Sequence, residues 1–330
     1  MTPPPPIGTV YVELPYGGPT RADALSMLAA VRLAAARSER RYTVRRLDDV
    51  RGDLPRCRAN AERVRADGEA IAVIGTYDSA CTAIVRDALA SSSVAVVSPV
   101  NAAHDLGGIV RIAPTTDDEP SAVVAAAQAL GAQRLVIAEG TPGAGGPVQE
   151  LLARATPSAI IVPVARALAV AQPGDLIAAV GLTPAQTAEL VAARRPITVR
   201  LLLASANAVP ATLAFPGAER VLVLSRFVPA SSLDGRAGSF ADAFAQLDGE
   251  PRGFDLYAAD AMIAIATAVD QQNGARAGLR ETLGSLQNVP GVTRTFSVLP
   301  DGRTTPQRMA VLGIEKGGFR VDRVLTYDVV

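Results

Sequence analysis

The stretch AIAVIGTYDSACT, residues 70–82, decides the fold class. Its first six residues, Ala70–Gly75, form a continuous apolar run, which is typical of a parallel strand buried on both faces. The run ends at a glycine, and hydroxyl side chains, an acid and a helical pattern follow. A buried strand, a short polar loop and a helix in this order predict one β-α step of a doubly wound sheet.

The same β-α step recurs along the chain on both sides of this stretch. The first series has predicted strands at 7–14, 43–47, 94–98 and 109–112, with helices at 21–37, 55–66 and 82–91. The second has strands at 135–138, 159–162, 176–181, 199–204 and 220–224, with helices at 119–130 and 184–194. Two successive series of this kind predict two doubly wound lobes.

The chain after Phe227 has a different pattern. Helices are predicted at 240–247, 254–271 and 277–286, and they are too many for one sheet edge, so we expect them to return to the first lobe. Strands are predicted at 296–299, 308–314 and 319–324, with a hairpin turn at 316–318. The predicted lobes are 7–115 plus 229–298 and 116–228 plus 299–330, after a Pro-rich tether at 1–6.

The composition of the chain limits which functions are possible. The 330 residues are 49% hydrophobic and carry a formal net charge of zero, so the Lys/Arg excess that drives nucleic-acid binding is missing. No run reaches the roughly 18 apolar residues of a membrane span. The start of the chain, with Pro3–Pro6, does not have the pattern of a signal peptide. Two interpretations remain: a cytosolic protein, or one whose leader has been removed to leave a stiff tether.

Enzyme and cofactor motifs are missing from the sequence. His104 is the sole histidine, and no G-x-S-x-G elbow offers it a serine. The glycine-rich segment 140–147 lacks the last glycine of G-x-G-x-x-G, and the lone Lys316 excludes a P-loop. The acids at 117–119 stand where a helix begins and complement its dipole. We therefore predict no enzyme, no catalytic residue, no cofactor and no metal.

The loops after the first-lobe strands are the candidate ligand site, because open α/β sheets bind ligands at the carboxyl ends of their strands. These loops are 15–19, 75–82 and 98–103. The second has hydroxyls and the start of a helix, a combination suited to an anionic group. Simple capping of that helix by Asp78 or Ser79 explains the same residues equally well.

The sequence pattern does not decide whether Cys57 and Cys81 form a disulfide or stay as free thiols. Cys57 stands where a helix begins, and Cys81 stands just beyond a strand. In a parallel sheet with crossover helices we expect these points on opposite edges, so a disulfide needs the loops to fold back toward each other. The pattern leaves both states open.

A family resemblance covers about residues 7–325. The segments VIGTYDSACT (73–82) and VVSPVNA (96–102) resemble the periplasmic binding protein type 1 family, in its branch of leucine/isoleucine/valine-binding proteins of ABC transporters. RIAPT (111–115), LVIAE (135–139), GLTPA (181–185) and FDLYAADA (254–261) follow in family order. The resemblance implies two lobes joined by three crossings, which close on a small ligand by hinge motion.

The resemblance also implies ligand residues and a disulfide. In relatives with amino-acid ligands, the residues matching Ser79 and 100–102 hold the ligand's carboxylate and ammonium; Ala102 replaces a common threonine. In the second lobe, Gly143 lies in a loop that lacks the usual aromatic, Leu182 replaces a frequent tyrosine, and Ser205 replaces a common acid. The full predicted set is Tyr16, Tyr77, Asp78, Ser79, Val100, Asn101, Ala102, Gly143, Leu182, Ser205 and Phe227. A bond between Cys57 and Cys81 is implied too, and it favours an extracytoplasmic protein.

The leading hypothesis is therefore a monomeric solute-binding protein that delivers a small polar organic ligand, an amino acid or a related carboxylate or amide, to a membrane permease. Without an acid at 205, a ligand that lacks an amine is favoured unless Asp78 supplies the charge. The alternatives are a ligand-sensing ectodomain of a signalling receptor, a Rossmann-type nucleotide-dependent enzyme, and a receptor fold that has lost its ligand.

Overall fold

The chain forms two compact units and passes between them three times. The computed structural model describes residues 5–101, 103, 106–152, 158–193, 199–233 and 235–329. Unit 1 consists of Met1–Thr116 and Pro229–Gln307, and unit 2 of Asp117–Val228 and Arg308–Val330. Residues 299–307, which the sequence assigned to the second lobe, belong to unit 1. The reason is local: Thr304 pairs with Val298 in a small antiparallel sheet of that unit.

Unit 1 is built on a five-stranded parallel sheet in the order β2-β1-β3-β4-β5. Its strands are Thr9–Leu14 (β1), Thr43–Asp48 (β2), Ala70–Gly75 (β3), Ala95–Ser98 (β4) and Val110–Arg111 (β5). The helices between them are Arg21–Ala36 (α1), Leu54–Ala66 (α2) and Ser79–Leu89 (α3). Every residue of β1, β3 and β4 is buried, as expected for strands covered on both faces.

Unit 2 has a seven-stranded sheet in the order β15-β14-β10-β9-β8-β6-β7. Its strands are Arg134–Glu139 (β6), Ser158–Pro163 (β7), Leu176–Val180 (β8), Arg200–Leu203 (β9), Leu222–Ser225 (β10), Gln307–Glu315 (β14) and Gly318–Tyr327 (β15). Its helices are Glu119–Ala129 (α4), Gly146–Leu152 (α5), Val164–Val170 (α6), Pro184–Ala193 (α7) and Pro210–Leu213 (α8). The strands β6 to β10 are parallel, and β14 adds antiparallel to β10.

The segment that returns to unit 1 supplies three helices and three short strands. These are Arg236–Asp248 (α9), Asp255–Gln271 (α10), Leu279–Gly284 (α11), Val289–Pro290 (β11), Thr295–Val298 (β12) and Thr304–Thr305 (β13). Helix α10 packs against α1, β3 and β4. It is buried along most of its length, and its many small Ala side chains let it lie close to the sheet. The expected return to the first lobe is confirmed.

Most predicted elements appear within a few residues of their expected bounds. The hairpin turn at Lys316 and Gly317 is confirmed, and both residues have positive φ, as the favoured two-residue turns require. Helices α5, α6 and α8 were not predicted. They are only seven, seven and four residues long, and α5 begins with Gly146-Pro147, which is typical of a loop in sequence. No helix within the described residues is long and apolar enough to cross a bilayer.

Candidate functional site

The loop after β3 is held in place at the start of α3 by Asp78. Its Oδ1 atom accepts hydrogen bonds from the backbone N–H groups of Ala80, at 2.9 Å, and Cys81, at 3.2 Å. This satisfies two of the donors that a helix start leaves open. Of the two capping residues that the sequence left possible, Asp78 is therefore the one used, and Ser79 becomes the first residue of the helix.

Ser79 is exposed at the carboxyl edge of the unit 1 sheet. Its hydroxyl donates to Asn101 Oδ1 at 2.9 Å. Its backbone N–H has no acceptor among the described residues. An unused N–H at a helix start is suited to receive an anionic group, and the neighbouring hydroxyl can join it if its proton turns away from Asn101.

Asn101 connects Ser79 to the interior of the unit. It is 2% exposed, and its Nδ2 donates to Thr82 Oγ1 at 2.7 Å. The Thr82 hydroxyl in turn lies 2.7 Å from the hydroxyl of Thr76, so four side chains from the start of α3 and the loops after β3 and β4 form one chain of hydrogen bonds. Such a network fixes the side chains before any ligand arrives. Val100, the preceding residue, is buried beside it, whereas Ala102 and His104 lie outside the described residues.

The Cys57–Cys81 disulfide is present, with Cα atoms 5.5 Å apart. The two cysteines lie on the same edge of the sheet and not on opposite edges, because α2 begins where β2 ends and α3 begins where β3 ends. The bond therefore ties the start of α3, which carries Ser79, to the start of α2. The resemblance predicted this bond correctly, and the edge argument against it was wrong.

Tyr16 and Tyr77 lie on this edge in different environments. Tyr16 is 5% exposed, donates from its hydroxyl to Val12 O at 3.2 Å, and has the Arg46 guanidinium 4.6 Å from its ring centroid. Burial raises the pKa of its hydroxyl. The Tyr16 hydroxyl is therefore already hydrogen-bonded within unit 1. Tyr77 is half-buried, and its ring lies 6.0 Å from the guanidinium carbon of Arg51.

Two buried acids beneath the loop were not anticipated from the sequence. Glu13, in β1, is fully buried. Its Oε1 accepts a hydrogen bond from Asn60 Nδ2 at 2.8 Å, and its Oε2 has no hydrogen-bond partner among the described residues. Burial, more than the nearby charge of Asp49, raises the pKa of Glu13 to about 7. Asp49 is 2% exposed and accepts from the backbone N–H of Tyr77, and burial raises its pKa to about 7. The only hint in sequence was a glutamate inside an otherwise apolar strand.

The carboxylate of Glu13 also lies within 4.8 Å of both cysteine sulfurs. Among the described residues this is the one group whose atoms converge as metal ligands would. The sulfurs are bonded to each other, however, and a disulfide offers no thiolate. The group does not fit a metal in this state.

The carboxyl edge of the unit 2 sheet carries the remaining predicted residues. Gly143 lies in the exposed loop after β6 with φ +88°, and the half-buried Leu182 follows β8. Ser205 follows β9, and the half-buried Phe227 follows β10. Because β6, β8, β9 and β10 run parallel, the four residues lie on one edge.

Glu119 has a contact on this edge that the sequence did not predict. It begins α4, but its Oε1 accepts a hydrogen bond from the hydroxyl of Ser205, and the Ser205 backbone N–H also bonds to it. Burial raises the pKa of Glu119, while Ser205 and the charge of Arg226 lower it. The carboxylate is thus bound to the loop after β9 and does more than complement the helix dipole.

Comparison with known proteins identifies the fold. No family model matches the sequence, and no curated protein matches it. Among solved structures, a branched-chain amino acid ABC transporter protein from Rhodospirillum rubrum is 21% identical, with a TM-score of 0.74 over 95% of this chain and 99% of that one. The substrate-binding protein LivJ of Streptococcus pneumoniae, solved with isoleucine, is 16% identical, with a TM-score of 0.66 over 96% and 99%. A solute-binding protein from R. palustris, solved with benzoate, is 14% identical, with a TM-score of 0.63 over 98% and 97%.

The chain therefore has the fold of the type 1 periplasmic binding proteins. The α/β class, the two units and the three passages between them agree with the fold that the sequence resemblance implies. The likeness extends over nearly the full length of each of these relatives. At these identities it establishes the fold and not the ligand.

Proposed function

We propose that this chain is the solute-binding protein of an ABC transporter and carries a small polar organic ligand, an amino acid or a related carboxylate or amide. The observation that carries the proposal is the match of the fold, over 96% or more of the chain, to proteins described as substrate- or solute-binding. Because these relatives are described as binding proteins, we propose binding and not catalysis as the role of this chain.

The unit 1 edge supports a carboxylate as the group that is recognised. The solutes named with the similar structures are isoleucine, leucine, benzoate and 4-hydroxybenzoate, and all four carry a carboxylate. In this chain the exposed Ser79 hydroxyl and the unused Ser79 N–H stand at the start of α3, where the helix dipole favours negative charge. We propose that the Ser79 N–H binds the ligand carboxylate, and that the Ser79 hydroxyl turns its proton from Asn101 Oδ1 to the carboxylate when the ligand arrives.

A membrane permease is the partner that this role requires, and we propose a location outside the cytosol. The Cys57–Cys81 disulfide supports that location, because structural disulfides persist in oxidising compartments. Closure on the ligand, a monomeric state and the ligand roles of Tyr16, Tyr77, Asp78, Val100, Ala102, Gly143, Leu182 and Phe227 remain predictions.

The test is a thermal-shift screen over amino acids, aliphatic and aromatic carboxylates, and their amides. A ligand at 100 times its Kd stabilises the protein by about 2.7 kcal/mol, a shift of roughly 5–10 °C for units of this size. For any carboxylate that binds, Ser79→Ala is expected to raise Kd about tenfold, because a hydrogen bond to a charged group is lost. Ser93→Ala, an exposed serine before the amino end of β4, is the matched control and leaves Kd unchanged. A panel in which no solute shifts the transition contradicts the proposal.

A further inference from the structure

Helix α2 carries four exposed arginines, which are Arg56, Arg58, Arg63 and Arg65. None of the four forms an ion pair with an acid in the part of the chain that the structure describes. Five arginines and two acids give residues 50–66 a net charge of +3, although the whole chain has a net charge of zero. Positive charge is therefore concentrated on this helix.

The four arginines form two rows along α2. Arg56 and Arg63 are seven residues apart, two helical turns, and so lie on one flank. Arg58 and Arg65 have the same spacing and lie on the opposite flank. The outer side of the helix, between the two rows, consists of the exposed residues Pro55, Ala59, Glu62 and Ala66.

We call the two rows and this outer side the arginine face. Three of its four outer residues have small side chains, so a flat partner can come close to the helix along its length. The long arginine side chains on both flanks can then reach that partner together, because their apolar stems are flexible and their charged ends extend beyond them. Glu62 is the single acid on the arginine face.

Exposed apolar side chains lie at the start of the same helix. Val50, in the loop before α2, is 47% exposed, and Leu54, the first residue of α2, is 39% exposed. Within the described residues, the large apolar side chains that are exposed are Leu25, Val50, Leu54, Val209 and Leu247. Two of the five thus adjoin the arginine face. Arginines next to exposed apolar side chains are typical of protein surfaces that lie against a membrane interface.

We propose that the arginine face, with Val50 and Leu54, is a docking surface for a lipid bilayer with anionic headgroups. A bilayer is flat, and its phosphates move laterally, so they can gather under all four guanidinium groups, which bind phosphate well. The two apolar side chains enter the boundary between headgroups and acyl chains. A folded acidic protein, in contrast, would have to present fixed acids at the spacing of both rows.

This inference goes beyond the proposed solute binding and does not depend on the identity of the solute. It has a consequence for the ligand loop, because the Cys57–Cys81 disulfide joins the start of α2 to the start of α3. Docking through α2 therefore holds Ser79 close to the membrane.

Co-sedimentation of the full chain with vesicles tests the docking. Vesicles of phosphatidylcholine that contain about one third phosphatidylglycerol are compared with vesicles of phosphatidylcholine alone. Each arginine near an anionic surface contributes about a fivefold factor in binding, so we expect the wild type to prefer the anionic vesicles about 100-fold. Raising the salt from about 0.1 M to about 1 M is expected to remove most of this preference, because the Debye length falls from about 10 Å to about 3 Å.

The double variant Arg58→Gln with Arg65→Gln removes one row and is expected to weaken binding to the anionic vesicles by about 30-fold. The matched control is Arg21→Gln with Arg32→Gln, which removes the same charge from exposed positions on α1. Helix α1 packs with α9 and α10, whereas α2 packs with α3, so the control is expected to change binding by less than about twofold.

The apolar contribution has its own pair of variants. Leu54→Ser is expected to weaken binding to the anionic vesicles by about threefold, since part of a leucine side chain no longer leaves water. Leu247→Ser, at a more exposed leucine on α9, is the matched control and leaves binding unchanged.

Melting temperatures check that each variant folds, and Arg56→Gln with Arg63→Gln tests the second row if the first double variant does not fold. Equal binding of the wild type to both kinds of vesicle, or equal losses in the α2 and α1 double variants, overturns the inference. Binding of soluble polyglutamate through these arginines, with no binding to vesicles, overturns it in favour of an acidic protein partner. None of these outcomes bears on solute binding, which the thermal-shift screen measures separately.

Discussion

Glu13 makes the stability of unit 1 depend on pH, and the substitution Glu13→Gln tests this. The side chain is fully buried in β1. In the part of the chain that the structure describes, one carboxylate oxygen has a single donor, Asn60, and the other has none. Burial first, and the charge of Asp49 second, raise its pKa from 4.5 to about 7. The folded chain therefore prefers the protonated carboxyl.

The sign follows from the two pKa values of this group. Because the folded-state pKa is the higher one, the stability is fully present below about pH 4.5 and is lost as the pH rises through about 7. One pKa unit corresponds to 1.36 kcal/mol, so Glu13 accounts for about 3 kcal/mol, most of it lost between pH 5 and pH 8. Glutamine has nearly the same shape and does not titrate, so the variant lacks this loss.

Urea unfolding followed by circular dichroism, at pH values from 5 to 8, measures the effect. The difference in unfolding free energy, Glu13→Gln minus wild type, is expected to rise by about 3 kcal/mol across this range. Glu62→Gln, an exposed acid on α2, serves as the matched control and follows the wild type. Parallel curves for wild type and Glu13→Gln would refute the reasoning, since the carboxyl would then titrate alike in both states.

Two further predictions concern the loop above this acid. Replacing Cys57 and Cys81 together by serine is expected to lower the unfolding free energy by about 3 kcal/mol, as loss of a cross-link across 24 residues implies, and urea unfolding without reductant measures it. Gly75→Ala is expected to lower the melting temperature by several degrees, because its Cβ would lie 2.1 Å from Glu13 O at φ +137°. Gly17→Ala, where a Cβ meets nothing within 4 Å, should change it little. Equal melting temperatures for both alanine variants would contradict this reasoning.

The sequence predicts the fold well because the fold rests on local signals. Runs such as Ala70–Gly75 are so apolar that they fit only a central, buried strand. The helices between these runs have a clear helical periodicity of apolar residues. Short elements were not predicted. Helix α6 has seven residues and follows Pro163 directly, which is too short for a helical periodicity of apolar residues to be recognised. The assignment of 299–307 failed because strand patterns do not identify the sheet that a strand joins.

The site is less predictable because its contacts link residues that are distant in sequence. Ser79 and Asn101 were identified, yet the bond between them depends on how β3 and β4 align. Glu119 was interpreted as an acid at a helix start, which it is, but its bond to Ser205 spans 86 positions and has no local signature. Glu13 was not predicted as a site residue, because an isolated acid in an apolar run does not indicate how its carboxylate oxygens are hydrogen-bonded.

The division of unit 1 into two stretches has a consequence for biosynthesis. All five strands of its sheet precede residue 112, whereas α10, which packs against α1, β3 and β4, follows the whole of 117–228. At usual rates of translation, on the order of 10 s separate the emergence of the sheet from that of the helix. During that interval the nascent chain exposes the apolar surface that α10 later covers. A polypeptide cut short near position 116 would keep that surface uncovered permanently, and chaperones recognise such surfaces.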